Sequence, residues 1–481
     1  MRRFLFAALV TCAALGQELT VNEVRSVVEH AASSVGSRGL AIAVTNRRGD
    51  ILAIFRTPGV PDTATGNFGA RVDTNELAVA LARTASFFSN NQAPLSSRTV
   101  RFISGVHFPP GISFTPNAAL YGIENTNRGC GFNTTFAMGK EVPPARSIDG
   151  TQPGLGIQTG KADLTDSDPD AVNPGGVPLF RNGVVVGGIG VAGVSAPVAE
   201  YAAFSGAIGA GFVPTPAAPG VIFIDGIELP FVSQQTAPDG VAAGDVRGDY
   251  LIGPSDSPGP APEGDLVAPR DGSALSAAQV RQILDRAIDT ANKTRAIIRL
   301  PIGSRTRMVI AVTDVDGTVL GLHRMPDATV FSIDVAVAKA RNMVYFNASG
   351  ALSGIPSGTA VTNRTIGFGA QPFFPPGIDG SDRGPFFDLY VKDTLNPCTQ
   401  GAQPANPNQN GIVFFPGALP LYKSGVLVGG LGVSGDGVEQ DDYVTALAAQ
   451  GFEAPLDSRA DRVFIDGVRM PYLKFPRNPT K

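Results

Sequence analysis

The chain has 481 residues, room for roughly two to four domains of ordinary size. Its 58 Gly and 39 Pro make up about a fifth of the residues, yet 43% of the chain is hydrophobic and no Gly-X-Y period runs through it, which excludes collagen and disorder throughout. A formal net charge of −4 with no basic run leaves no electrostatic footprint for nucleic acid or an anionic membrane, and three His and three Cys with no pair at ligand spacing exclude a zinc site built from them.

The chain opens on Met1-Arg2-Arg3, an uncharged apolar run from Phe4 to Leu15, and small residues at Ala14 and Gly16. This pattern predicts a secretory signal peptide over residues 1–16, cut after Gly16, and a secreted or periplasmic mature chain. The run is too short to span roughly 30 Å of hydrocarbon. If Cys12 leaves with the signal, Cys130 and Cys398 remain in an oxidising compartment, where a disulfide between them is the expectation and two buried free thiols the alternative.

From residue 17 onward the sequence repeats itself. Leu19-Thr20-Val21-Asn22-Glu23-Val24-Arg25 matches Leu275-Ser276-Ala277-Ala278-Gln279-Val280-Arg281, and each predicts an amphipathic helix opened by a capping box, Thr20 with Glu23 and Ser276 with Gln279. A hairpin follows in each copy, Ile42 to Arg56 and Ile310 to Arg324, then a second helix from about 75 to 89 and from about 333 to 347. Phe108-Pro109-Pro110-Gly111-Ile112 recurs identically as Phe374-Pro375-Pro376-Gly377-Ile378. Next come Gly-rich hairpins, Pro178 through Gly193 and Pro420 through Gly435, a third helix, and a closing Phe-Ile-Asp-Gly at 223–226 and 464–467. Hairpins dominate both copies, which favours an α/β (α+β) domain on an antiparallel sheet over a doubly wound parallel one. The predicted domains are 17–232, interrupted by an irregular insertion at 113–174, and 273–475, interrupted at 379–416. Residues 233–272, rich in Pro, Gly and Asp, read as a linker.

At these residues the chain resembles the GlcG/HbpS family, the heme-binding-protein-like domain also found at the C-terminus of PduO-type proteins. The second copy carries the resemblance more closely, through Ile310-Ala311-Val312-Thr313-Asp314, the Arg324-Met325-Pro326-Asp327-Ala328 run, Lys339-Ala340, and Pro420 through Gly435 followed by Glu439-Gln440-Asp441-Asp442. The resemblance implies a sheet of about five antiparallel strands flanked by helices, a habit of oligomerising, and heme or related tetrapyrrole binding in some members. The first copy departs from the pattern: Leu81 stands for Lys339, Phe55 for His323, and Pro197-Val198-Ala199-Glu200 for the acidic run. It reads as a degenerate structural partner.

Heme iron takes a nitrogen or soft axial donor, most often His. His323, at the end of a strand beside Arg324, is the foremost of three candidates, with a satisfied strand-end histidine as the alternative; His107 precedes the shared Phe-Pro-Pro-Gly-Ile element, and His30 lies within the first helix. Arg56, Arg324 and Lys339 are candidates to pair with propionates, or else solvated surface cations. Glu439, Asp441 and Asp442 offer hard oxygen ligands to a metal, or else complement a helix dipole. Gly188-x-Gly190-x-x-Gly193 and Gly430-x-Gly432-x-x-Gly435 satisfy a dinucleotide pattern but follow a hairpin and lack its acidic partner, so they read as a tight strand-to-helix turn and a close backbone approach. No nucleophile, base and orienter assemble. The expected function is therefore binding of heme or another tetrapyrrole without assured catalysis. A heme-dependent redox or heme-degrading enzyme and a structural or assembly module with a vestigial pocket stand as alternatives.

Overall fold

The computed structural model describes residues 18–103 and 174–481, apart from 37, 66–70, 215–221, 225, 349–351 and scattered positions between 372 and 407. The signal segment 1–16, His107, Cys130 and Cys398, and nearly all of the 113–174 insertion lie outside these residues. The first half runs α1 (Val21–Ser34), β1 (Ala41–Asn46), β2 (Ile51–Arg56), β3 (Thr63–Thr65), β4 (Arg71–Asp73), α2 (Thr74–Phe88), α3 (Ser97–Ile103), β5 (Gly176–Arg181), β6 (Val184–Ala192), α4 (Ala196–Gly209), β7 (Phe223–Ile224) and β8 (Ile227–Glu228). β9 (Asp249–Ile252) and β10 (Gly264–Val267) follow, and the second half runs α5 (Ala277–Lys293), β11 (Val309–Thr313), β12 (Val319–Arg324), α6 (Phe331–Phe346), α7 (Asn363–Gly369), β13 (Ala418–Lys423), β14 (Val426–Ser434), α8 (Val438–Ala448), β15 (Phe464–Ile465) and β16 (Val468–Arg469).

Local chemistry explains the helix starts and hairpin turns. The Glu23 carboxylate accepts from Thr20 N at 2.8 Å while Thr20 Oγ1 accepts from Glu23 N, and Ser276 with Gln279 repeats the arrangement, so both predicted capping boxes form. The turns at Asn182-Gly183 and Ser424-Gly425 have positive φ at both residues, the type I′ geometry that matches strand twist in a two-residue hairpin.

The fold is α+β, with two five-stranded antiparallel sheets in the orders β5-β6-β1-β2-β9 and β10-β12-β11-β14-β13. Four strands of each sheet share one connectivity. The fifth comes from the segment expected to be a bare linker: β9 pairs with β2 and β10 with β12. α2 and α6 pack on one face of their sheets, and the pairs α1–α4 and α5–α8 on the other.

The Gly-rich strands are seats for helices. A Cβ on Gly190 would stand 1.9 Å from Ala78 O, and one on Gly432 2.1 Å from Ala336 O, so the backbone of α2 or α6 lies directly on the strand. The close approach is as expected. The strand-to-helix turn holds the third glycine of each pattern, Gly193 with φ 96° after β6 and Gly435 after β14, whereas Gly188, Gly190, Gly430 and Gly432 lie inside the strands. The 379–416 insertion is no excursion either, because Phe386, Phe387, Leu389, Ile412 and Phe414 are buried in the core of the second half. Among the described residues no helix is long and apolar enough to cross a membrane.

Candidate functional site

The second half buries a charged pair where α6, the end of β14 and the start of α8 meet. Lys339 is wholly buried on α6, in a stretch that is apolar all round, Val335-Ala336-Val337-Ala338 before it and Ala340 after. Its Nζ donates to Val433 O at 2.7 Å and to Asp441 Oδ2 at 2.9 Å, and stands 4.8 Å from the centre of the Phe415 ring. Asp441 Oδ1 is buried without a hydrogen-bond partner among the described residues. Burial pushes Asp441 up to about 7 against the pull of Lys339, and burial likewise holds Lys339 below its ordinary value against the pull of Asp441. Desolvation outweighs the attraction on both partners, which draws their proton affinities together.

Asp441 also lines a cavity of about 40 Å³ with Phe88, Phe331, Phe415, Ser434 and Asp436. That is room for roughly one water. Phe88 belongs to the first half, so the first half closes this cavity. Its ring stacks on Phe331 with centroids 4.0 Å apart and planes 5° from parallel. Asp436 is buried and bonded at 2.5 Å to Arg299 Nε, while Arg299 Nη1 reaches Asp327 at 2.6 Å.

The first half makes an internal comparison possible. Aligning β6 with β14 and α2 with α6 places Leu81 at Lys339 and Ala199 at Asp441, so the charged pair is present in the second half alone. Glu200 falls at Asp442. Arg98 makes a two-pronged bond to Glu200 at 2.7 and 3.2 Å, and Arg364 pairs through Nε with Asp442. Asp442 also accepts from Gly417 N at 2.9 Å and Lys474 N at 3.0 Å, and Glu200 from Gln234 N at 2.9 Å. An arginine–carboxylate clamp that recurs in both halves and ties α3 or α7 to the chain end is architectural. Sequence reasoning missed it, although Ser96-Ser97-Arg98-Thr99 and Thr362-Asn363-Arg364-Thr365 share a hydroxyl-x-Arg-hydroxyl pattern.

The residues predicted as one site are dispersed. His323 lies on the opposite face of the sheet from Lys339: Gly321, two residues before it on β12, faces Val280 and Leu284 of α5, whereas Gly432 faces α6. Its Nδ1 is 2.7 Å from Asp265 Oδ1, and Asp265 also pairs with Arg281. Burial opposes it, but the His323 ring and the Arg281 guanidinium hold the Asp265 carboxyl below its ordinary value. Arg324 is not a solvated surface cation. It is 2% exposed and donates to Ala328 O at 3.0 Å and Pro262 O at 2.9 Å, which pins the turn after β12. Lys339 is no surface cation either, and its ammonium is already bonded inside the chain. Arg56 is half-buried at the end of β2, with Asp62 at 3.5 Å. His30 is exposed and bonded to Ser26 O at 2.8 Å. The three acids do not converge on a metal: Glu439 pairs with Lys474, Asp441 with Lys339 and Asp442 with Arg364. Among the described residues no three His, Cys, Asp or Glu side chains come together as a ligand set.

Comparison with known proteins places a family on the second half. Residues 275–450 match the HbpS-like family, described as haem degrading protein HbpS-like, and are an HbpS-like domain; the first half is not included in the match. The corrinoid adenosyltransferase PduO of Salmonella typhimurium is 29% identical over 163 residues, 34% of this chain and 37% of that protein. The corrinoid adenosyltransferase PduO of Citrobacter freundii is 30% identical over 158 residues, 32% of this chain and 36% of that protein. The chain thus spans little more than a third of the length of these curated relatives. Among solved structures, a PduOC:heme complex is 25% identical, covers 37% of this chain and 94% of its own, and superposes with a TM-score of 0.25. The Klebsiella pneumoniae protein ORFY is 21% identical, covers 38% of this chain and 93% of its own, with a TM-score of 0.26.

Proposed function

We propose that the HbpS-like domain at 275–450 binds heme or a related tetrapyrrole, with the first half as a structural partner. The observation that carries this reading is the match of those residues to a family whose description names haem. His323 fits the axial role. Its Nδ1 is engaged by Asp265, which leaves Nε2 for iron, and a carboxylate on the second ring nitrogen is the usual outer partner of a metal-bound imidazole. The His323 side chain is 16% exposed. The cavity beside Asp441, about 40 Å³, cannot hold a macrocycle, because pockets for ligands of that class run from roughly 300 Å³ upward. Arg324 and Lys339 are buried and bonded within the chain, which argues against a propionate role for either.

Hemin titrated into the purified chain should give a shifted Soret band, and His323→Ala should weaken binding at least tenfold. An unshifted band would sink the tetrapyrrole reading, and full binding by His323→Ala would sink the axial assignment. The enzyme reading, turnover of bound heme, is supported by the family description, haem degrading protein HbpS-like. Soret decay under ascorbate and oxygen no faster than for free hemin would end it.

A further inference from the structure

We propose that the cleft beside Arg364 is a separate ligand site for a small amphipathic carboxylate, a molecule with one carboxylate head, a hydrogen-bond donor such as a hydroxyl, and an apolar body. The cleft encloses about 500 Å³ and is lined by Phe368, Phe414 and Leu473 together with Arg364, Gln371 and Lys474. Its volume and its mix of apolar walls with few polar groups are those of a small-molecule pocket.

The two halves differ at one methylene, and that difference leaves a guanidinium incomplete. Arg98 uses both Nε and Nη2 on Glu200. Asp442 is one carbon shorter, and only Arg364 Nε engages it. Arg364 Nη2 is buried and has no hydrogen-bond partner among the described residues. A buried guanidinium nitrogen without an acceptor is unfavourable unless something supplies one, and a carboxylate is the acceptor whose geometry suits it. Gln371 lines the same cleft; its Oε1 is also buried without a partner among the described residues, and its amide nitrogen donates to Gly367 O at 2.8 Å. That oxygen asks for a donor on the ligand. Lys474, whose ammonium is paired with Glu439, lines the cleft too, and the aromatic and aliphatic walls take the apolar body.

The inference does not rest on the tetrapyrrole reading, and the probe keeps the two apart. 6-Hydroxy-2-naphthoate, titrated by its fluorescence into the full chain, should bind, and 2-naphthol, which lacks the carboxylate, should bind at least tenfold more weakly. Arg364→Lys keeps a cation for Asp442 but removes the second nitrogen, and should cost at least tenfold in naphthoate affinity. Leu473→Trp, which fills the cleft without touching the clamp, should abolish binding while the far-ultraviolet melting curve stays in place. His323→Ala should leave the probe's affinity unchanged. Equal affinities for naphthoate and naphthol, unaltered binding by Leu473→Trp, or displacement of the probe by one equivalent of hemin would each overturn the proposal.

Discussion

Lys339 and Asp441 place charge where the first half places Leu81 and Ala199, so the chain holds a natural reference for what the pair does to stability. Replacing a buried ion pair by apolar side chains is often neutral or stabilising, whereas removing one partner leaves an uncompensated charge and costs about 3–5 kcal/mol. Lys339→Leu with Asp441→Ala should therefore melt at or above the parent temperature. Lys339→Leu alone should lose about 3–5 kcal/mol near pH 8. The sign of the pH dependence follows from burial. The folded pKa of Asp441 is raised from 3.8 to about 7, so its favourable contribution is complete below the unfolded value and disappears as pH rises through the folded one. Without Lys339 the shift grows, and the single variant should recover toward the parent as the solution is acidified to about pH 5. Urea midpoints of parent and variants at both pH values check this. A loss of equal size at both would show that the loss does not come from an uncompensated charge on Asp441.

At the scale of elements, the Gly-rich strands set how closely a helix approaches the sheet. Gly432→Ala would put a methyl 2.1 Å from Ala336 O, and Gly430→Ala one 2.1 Å from Ala340 O, against backbone that cannot swing aside. Each should cost about 3 kcal/mol or more by urea denaturation, the upper range for overpacking. Gly253→Ala, with open space around it and no positive φ, should stay within about 0.5 kcal/mol and serves as the control. These strands were legible in the sequence, as were both capping boxes and the hairpin turns, because each depends on residues close together in the chain. The edge strands were not: β9 and β10 are four residues each inside a Pro- and Gly-rich segment, too short for an alternating pattern to stand out. Nor was the burial of Lys339, which was read as a propionate partner or else a solvated surface cation although Val and Ala surround it in sequence. The three acids at 439–442 were found as a cluster. Their separate cations, Lys474, Lys339 and Arg364, come from distant parts of the chain and carry no local signal.

The whole molecule joins its halves through a core that neither completes alone. Phe87, Phe88, Leu95 and Val100 of the first half pack with Val330, Val335, Ala338, Val413 and Phe415 of the second, and Ala261 joins them from the segment between. Polar contacts follow the same seam: Val330 N donates to Phe87 O at 3.0 Å, Gln92 Nε2 to Leu300 O at 2.7 Å, and Asn91 N to Asp327 Oδ1 at 3.1 Å. Inter-domain contacts are commonly polar and permit independent motion, but a shared apolar core couples unfolding of the two sides. The parent should therefore show one calorimetric transition in spite of its length. Phe88→Asp sets a carboxylate against Phe331 in that core, where an unpaired charge is strongly disfavoured, and should divide the transition into two. The same change opens the cavity at Asp441, because Phe88 forms part of its wall. Water entering there would relieve the desolvation that raises Asp441, so in Phe88→Ala, which opens the same wall without adding a carboxylate, the pH dependence of the second half's transition should weaken. Two transitions in the parent itself would mean that the seam does not couple the halves. A divided transition in Phe88→Asp with the pH dependence intact in Phe88→Ala would mean that the first half supports the second without closing its charged site.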